Sequence, residues 1–171
     1  DESGYCVTPI DMGEERKKQL NRNLMMFFTG FTRFSADIQV SHQSKLEEQS
    51  ARLLKMKALV DEAHEVLVGS GDLGDFGRLL DVTWKLKRGV TKEVSNNSID
   101  GIYQKAIEAG ALGGKLLGAG GGGFLLFYVE PEKQESVRSA LADLTYVPFS
   151  FENTGASILH MAGDDWNEEN Q

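Results

Sequence analysis

Between Lys115-Leu116-Leu117 and Phe124-Leu125-Leu126-Phe127-Tyr128-Val129 the chain reads Gly118-Ala119-Gly120-Gly121-Gly122-Gly123, five glycines in six positions. Each glycine loses more backbone entropy on folding than any other residue would. Such a run is tolerated where the backbone takes positive φ or comes close to another group, often a phosphate. Here it leads straight into an apolar strand.

The elements around it can be placed from periodicity. Asn23–Thr29 is a short apolar run closed by Gly30, read as a buried strand, and the charged stretch Gly13–Arg22 before it as a surface helix. Val7–Ile10 is a further candidate strand. Ser44-Lys45-Leu46-Glu47 has the form of a capping box. Behind it Leu53, Met56, Val60, Ala63 and Leu67 recur at helical spacing up to Gly69. Leu73–Arg88 reads as a second amphipathic helix with Phe76, Leu80 and Trp84 on one face and Gly89 as its stop. Ile99, Ile102, Tyr103, Ala106 and Ile107 mark a third, ended by Gly110. Core packing is the reading for all these stripes.

Phe124–Val129 is the clearest strand. Pro131 suits the first turn of a helix, with Val137, Ala140, Leu141 and Leu144 inward. Val147, Phe149 and Phe151 alternate, so Thr145–Phe151 is expected as a strand, and Pro148 puts it at an edge. Asn153-Thr154-Gly155 reads as a turn, Ala156–Met161 as a last strand, and the acidic stretch 163–171 as a disordered tail. The order predicts an α+β fold: a ferredoxin-like split βαβ sandwich, with an antiparallel sheet and additional helices packed on one face.

Composition narrows the function classes. The 171 residues suffice for a core, and a net charge of −8 argues against nonspecific nucleic-acid binding, which needs a basic surface. It leaves room for an anionic small ligand met by local N–H groups and a lysine. Cys6 is the single cysteine, so an intrachain disulfide is excluded, and His42, His64 and His160 have no metal-motif spacing. No metal site is expected. No run reaches the ~20 apolar residues of a membrane helix. The first residue is Asp1, which reads as a processed chain or a piece of a longer one.

Three phosphate-loop templates can be tested on the glycine run. The Walker pattern fails at Gly114-Lys115, because Ala109 and Leu116 occupy its first glycine and its Ser/Thr position. The dinucleotide pattern fits Gly118, Gly120 and Gly123 in letters. Its context requires a strand before and a helix after, whereas a helix before and a strand after are expected here. The third template is a nest of loop N–H groups closing on an anion, with Lys115 adding charge. Close packing of another segment and a flexible hinge are the alternatives to phosphate binding.

The stretch from Gly113 to Phe124 resembles the third signature motif of the GHMP kinases (galactokinase, homoserine, mevalonate and phosphomevalonate kinases). Met26–Ile38, Trp84-Lys85-Leu86-Lys87, Ser95-Asn96 and Val147–Phe151 are similar to the branch containing D-glycero-D-manno-heptose 7-phosphate kinase. Leu117 departs from the threonine of mevalonate and phosphomevalonate kinases and agrees with the heptose branch. The resemblance covers most of residues 5–161. It implies a GHMP kinase C-terminal domain over 1–162, with the ATP-binding N-terminal domain absent from this chain. That domain would carry a Pro-x-x-x-Gly-Leu-Gly-Ser-Ser-Ala-type loop and any catalytic Asp.

The function so implied is transfer of the ATP γ-phosphate to the anomeric hydroxyl of a heptose 7-phosphate, with the isolated chain inactive. Another GHMP sugar kinase, fucokinase- or galactokinase-like, is one alternative, and a non-catalytic ligand-binding or regulatory module of ferredoxin-like fold is another. ATP and Mg2+ are the implied cofactors, held mainly by the absent domain. The implied partners are a sugar phosphate, ATP and the N-terminal domain, with no nucleic acid or membrane, in the cytoplasm. Lys115, Gly118, Ala119, Gly120, Gly121, Gly122 and Gly123 are the cofactor-binding candidates. Arg33 and Lys87 are candidates for a substrate phosphate, which a guanidinium can hold bidentately. Against this, Arg33 could be a surface residue or pair with Asp37, and Lys87 and Arg88 suit the C-terminal end of a helix dipole. No catalytic residue is assigned in this chain.

Overall fold

The computed structural model describes residues 8–30, 50–89, 95–118 and 121–152. Helix α1 (Glu14–Asn23) leads into strand β1 (Leu24–Phe28). Helices α2 (Ser50–Val68), α3 (Gly74–Arg88) and α4 (Asn97–Glu108) follow. Strands β2 (Gly113–Leu116) and β3 (Phe124–Tyr128), helix α5 (Pro131–Ala140) and strand β4 (Thr145–Tyr146) complete the described chain. The four strands form one antiparallel sheet in the order β2-β3-β1-β4. The α+β class and the antiparallel sheet are as expected.

Cross-strand partners explain where the core sits. Met25 faces Phe127 and Phe27 faces Leu125, so these four share one side of the sheet. They pack with Leu116, Trp84, Ile99, Tyr103, Ala106, Val137 and Leu141 into the main cluster, under α3, α4 and α5. Leu24 faces Tyr128 and Met26 faces Leu126 on the other side. There Leu24, Leu126 and Tyr128 join a second cluster with Leu20, Leu67 and Leu73. The buried Asn23 amide donates to the Tyr128 hydroxyl at 2.7 Å, which satisfies the one polar atom Tyr128 brings inside.

Local chemistry sets several boundaries. Asn96 caps α4, its side chain accepting from the Ile99 N–H at 2.9 Å. Pro131 stands in the first turn of α5. Asp72 accepts from the Gly74 N–H at 2.8 Å and so starts α3.

Several expectations are corrected. Residues 8–10 carry no strand. The strand expected over Thr145–Phe151 ends at Tyr146. Val147 still donates to the Met26 carbonyl at 2.8 Å, but Pro148 has no N–H to continue the ladder. Beyond it Asn21 takes over, donating to the Phe149 carbonyl and accepting from the Phe151 N–H. Ala140 is exposed. On α2 only Leu67 of the apolar stripe is buried, while Val60 is 64% exposed. The helix packs along α3, which covers its C-terminal end. The capping box at 44–47, the turn and strand over 153–161 and the tail 163–171 lie outside the described residues.

The main correction concerns the glycine run itself. A strand, β2, precedes it, so the run is the connection of a β2–β3 hairpin. Alternation could not show this strand because Gly113 and Gly114 have no side chains to alternate. Packing demands their absence. A Cβ on Gly113 would overlap the Gly77 carbonyl oxygen of α3, and one on Gly114 would lie 2.5 Å from the Leu126 oxygen. The dinucleotide fingerprint stays excluded on the other side of the loop, where β3 stands in place of the required helix.

Candidate functional site

The hairpin loop is pinned at both ends. Leu117 donates its N–H to the Phe124 carbonyl at 2.8 Å. Thr29, at the end of β1, donates both its N–H and its Oγ1 hydroxyl to the Gly123 carbonyl, each at 2.9 Å. The loop therefore hangs from two neighbouring strands of the sheet.

Its glycines have a different cause from those of β2. Gly118 and Gly123 have φ of +78° and +102°, where a side chain is strained. A Cβ on Gly118 would meet nothing within 4 Å, and one on Gly123 only the Leu117 oxygen at 4.0 Å. Close packing thus accounts for Gly113 and Gly114 but not for Gly118 and Gly123. At Gly118 and Gly123 it is backbone conformation beside open space that calls for glycine, as an anion nest requires. Gly121 has φ of +76°. Ala119 and Gly120 lie outside the described residues.

Two lysines converge on the start of this loop. Lys115 lies on β2 opposite Leu126, three residues before Gly118. Lys87, in the last turn of α3, sends its Nζ to the Gly118 carbonyl oxygen at 3.2 Å. Burial, and then the charge of Lys115, hold the Lys87 ammonium below its ordinary pKa. Among the described residues neither lysine has a carboxylate partner. The structure thus brings together two residues that the sequence reading assigned to different ligands.

Arg88, at the end of the same helix, is engaged by neighbouring side chains. Its guanidinium pairs with Asp100 at 2.9 Å and lies 5.9 Å from the ring centroids of both Trp84 and Tyr103. Arg33 lies outside the described residues, as does Asp37.

Three supporting residues were not read from the sequence. The Tyr103 hydroxyl donates to Asp81 Oδ1 at 2.9 Å and accepts the Gly114 N–H at 3.2 Å. Asp81 is in turn held by Lys85 at 2.6 Å. The tyrosine is 3% exposed, and its burial together with the Asp81 carboxylate raises its pKa. Thr29 is the third. The only available signal was a hydroxyl directly after an apolar strand, and for Tyr103 a hydroxyl on a core-facing stripe.

Chemically the arrangement suits binding of an anion: positive-φ glycines with open space at Gly118, two ammonium groups and, among the described residues, no carboxylate paired with either. Among the described residues no group of three His, Cys, Asp or Glu side chains could hold a metal ion. No helix among them is long and apolar enough to cross a membrane.

Comparison with known proteins bears on this geometry. The family described as GHMP kinases C terminal matches residues 56–146. D-glycero-alpha-D-manno-heptose 7-phosphate kinase of Campylobacter jejuni is 32% identical over 153 residues, covering 87% of this chain and 45% of that protein. A galactokinase of Thermococcus kodakarensis is 31% identical over 137 residues, covering 76% of this chain and 37% of that protein. The crystal structure of L. major mevalonate kinase in complex with R-mevalonate superposes with a TM-score of 0.61 at 25% identity, over 70% of this chain and 37% of that one. The chain spans less than half the length of each.

Proposed function

We propose a function from one premise: the chain belongs to the GHMP kinases, whose C-terminal domain it matches. It is the C-terminal part of an ATP-dependent kinase that phosphorylates a heptose 7-phosphate at its anomeric hydroxyl. The observation that carries the phosphate role is the open space at Gly118 and Gly123, where glycine is required by φ alone. The heptose branch is supported by the similarity to the C. jejuni enzyme and by Leu117.

Phosphoryl transfer rests mainly on positioning and charge neutralisation. In this reading the amides of residues 118–123 close over the phosphates, and the two lysines offset their charge. The two ammonium groups fit a polyphosphate, and the loop N–H groups add uncharged donors for its oxygens. ATP supplies the transferable phosphoryl group. Mg2+ is held by the nucleotide and by residues outside this chain, and no residue of this chain serves as the base. The N-terminal domain is the partner that completes the pocket.

The test is a phosphorylation assay on the protein extended to the length of its relatives, with ATP-Mg and a panel of acceptors. Transfer to D-glycero-D-manno-heptose 7-phosphate at least tenfold faster than to D-galactose, L-fucose or mevalonate is expected. Preference for free galactose, the substrate class named for the T. kodakarensis relative, would replace the acceptor and keep the kinase. No transfer to any of them would remove the kinase reading.

A further inference from the structure

We propose that Lys87 and Lys115 form a single seat for one phosphoryl dianion at the first glycine of the hairpin loop, rather than serving two ligands. The proposal rests on the kinase reading only for the source of that phosphate. Lys87 arrives from α3 and Lys115 from β2, and the two elements pack directly on each other. The Lys87 ammonium is anchored by one of its three donors, on the Gly118 carbonyl, and two remain. This contact turns the side chain away from the last carbonyls of α3, which the Gly89 N–H already occupies at Leu86 and Lys87.

The second point is that, among the described residues, neither lysine is paired with a carboxylate. Lys85 and Arg88 on the same helix both have one, Asp81 and Asp100. Two neighbouring ammonium groups repel, and partial burial adds to the cost. A dianion between them reverses both effects. A phosphate monoester and the terminal phosphate of a nucleotide present the same chemistry, so either can be the source. Open space at Gly118 leaves room for it.

The experiment is NMR observation of the lysine side chains of the 171-residue chain, titrated separately with inorganic phosphate, D-glucose 6-phosphate and a non-hydrolysable ATP analogue. The Lys87 and Lys115 resonances are expected to shift together, with one dissociation constant for each ligand. Lys87→Met and Lys115→Met are each expected to weaken that constant at least tenfold, and Lys87→Arg less than threefold. The ligand with the smaller constant identifies the source. Separate constants for the two lysines, or a Lys87→Met chain that binds within twofold of the parent, would overturn the seat. Circular dichroism of each variant excludes unfolding as the cause. Sugar phosphorylation by the extended protein is a separate readout. Lost transfer with intact lysine titration sinks the kinase reading alone, and the converse sinks the seat alone.

Discussion

The buried hydroxyl of Tyr103 accepts the N–H of Gly114, closing the outer edge of β2 with a side chain instead of a strand. β2 is the terminal strand of the sheet, so its outward N–H groups have no ladder partner. The same hydroxyl gives its proton to Asp81, so its donor and acceptor capacities are both used. Tyr103→Phe keeps the ring contacts with Trp84 and Phe127, whose centroids lie 6.0 and 5.6 Å away. It leaves the Gly114 N–H buried without a partner. An orphaned buried donor costs about 1–3 kcal/mol. Urea unfolding should show that loss, with an unchanged slope against denaturant. A variant as stable as the parent would mean water replaces the hydroxyl.

The two groups of glycines should separate experimentally. At Gly114 an added methyl meets the Leu126 carbonyl oxygen and the Phe127 ring, both at 2.5 Å, and neither can retreat from the core. Gly114→Ala is expected to abolish cooperative folding or cost more than about 3 kcal/mol, in the range of severe core disruption. At Gly118 the methyl meets nothing, and only the left-handed conformation is penalised, at about 1–2 kcal/mol. Thermal unfolding of the two alanine variants checks the order. Equal losses would contradict the distinction between packing and conformational glycines.

This distinction also explains what could be read from the sequence. The helices over 74–88 and 97–108 and the strand over 124–128 were legible because apolar residues recur at the element's own period. β2 was not, since Gly113 and Gly114 erase the pattern exactly where α3 presses on the sheet. β4 was overread because Val147, Phe149 and Phe151 alternate, yet Pro148 stops the ladder before the last two can pair. α2 was legible as a helix, but periodicity does not say what covers an apolar stripe, and Val60 is left in solvent. The glycine run that carries the proposed phosphate role was legible from composition. The convergence of Lys87 and Lys115 was not, because 28 positions of sequence separate them and only tertiary packing joins them.

Acid should weaken the start of α3. Asp72 has its pKa lowered from 3.8, first by the Gly74 amide hydrogen bond and then by Arg78. The ionised form is therefore favoured in the folded chain. Its contribution to stability is complete above the unfolded value and is lost as pH falls through the lower, folded value. Asp72→Asn keeps an acceptor for the Gly74 N–H but removes the charge. Its unfolding free energy, measured from pH 6 to pH 2.5, should fall less steeply below pH 4 than that of the parent. Parallel curves would show that Asp72 has the same pKa folded and unfolded.

The last test asks whether the loop acts on chemistry or only on shape. Gly121 sits at φ +76°, and a β-branched residue there forces the loop backbone to rearrange. The hairpin should survive, because Leu117, Phe124 and Thr29 hold both ends of the loop through their own hydrogen bonds. In the protein extended to full length, Gly121→Val should leave the melting temperature within a few degrees of the parent. If the loop amides meet charge that develops during phosphoryl transfer, displacing one donor by this rearrangement lowers kcat about 10²–10³-fold while KM for the sugar changes little. Stopped-flow and steady-state kinetics on parent and variant resolve the two. An unchanged kcat in a folded variant would confine the loop to a structural turn, and a raised KM at constant kcat would make it a binding element for the ground state.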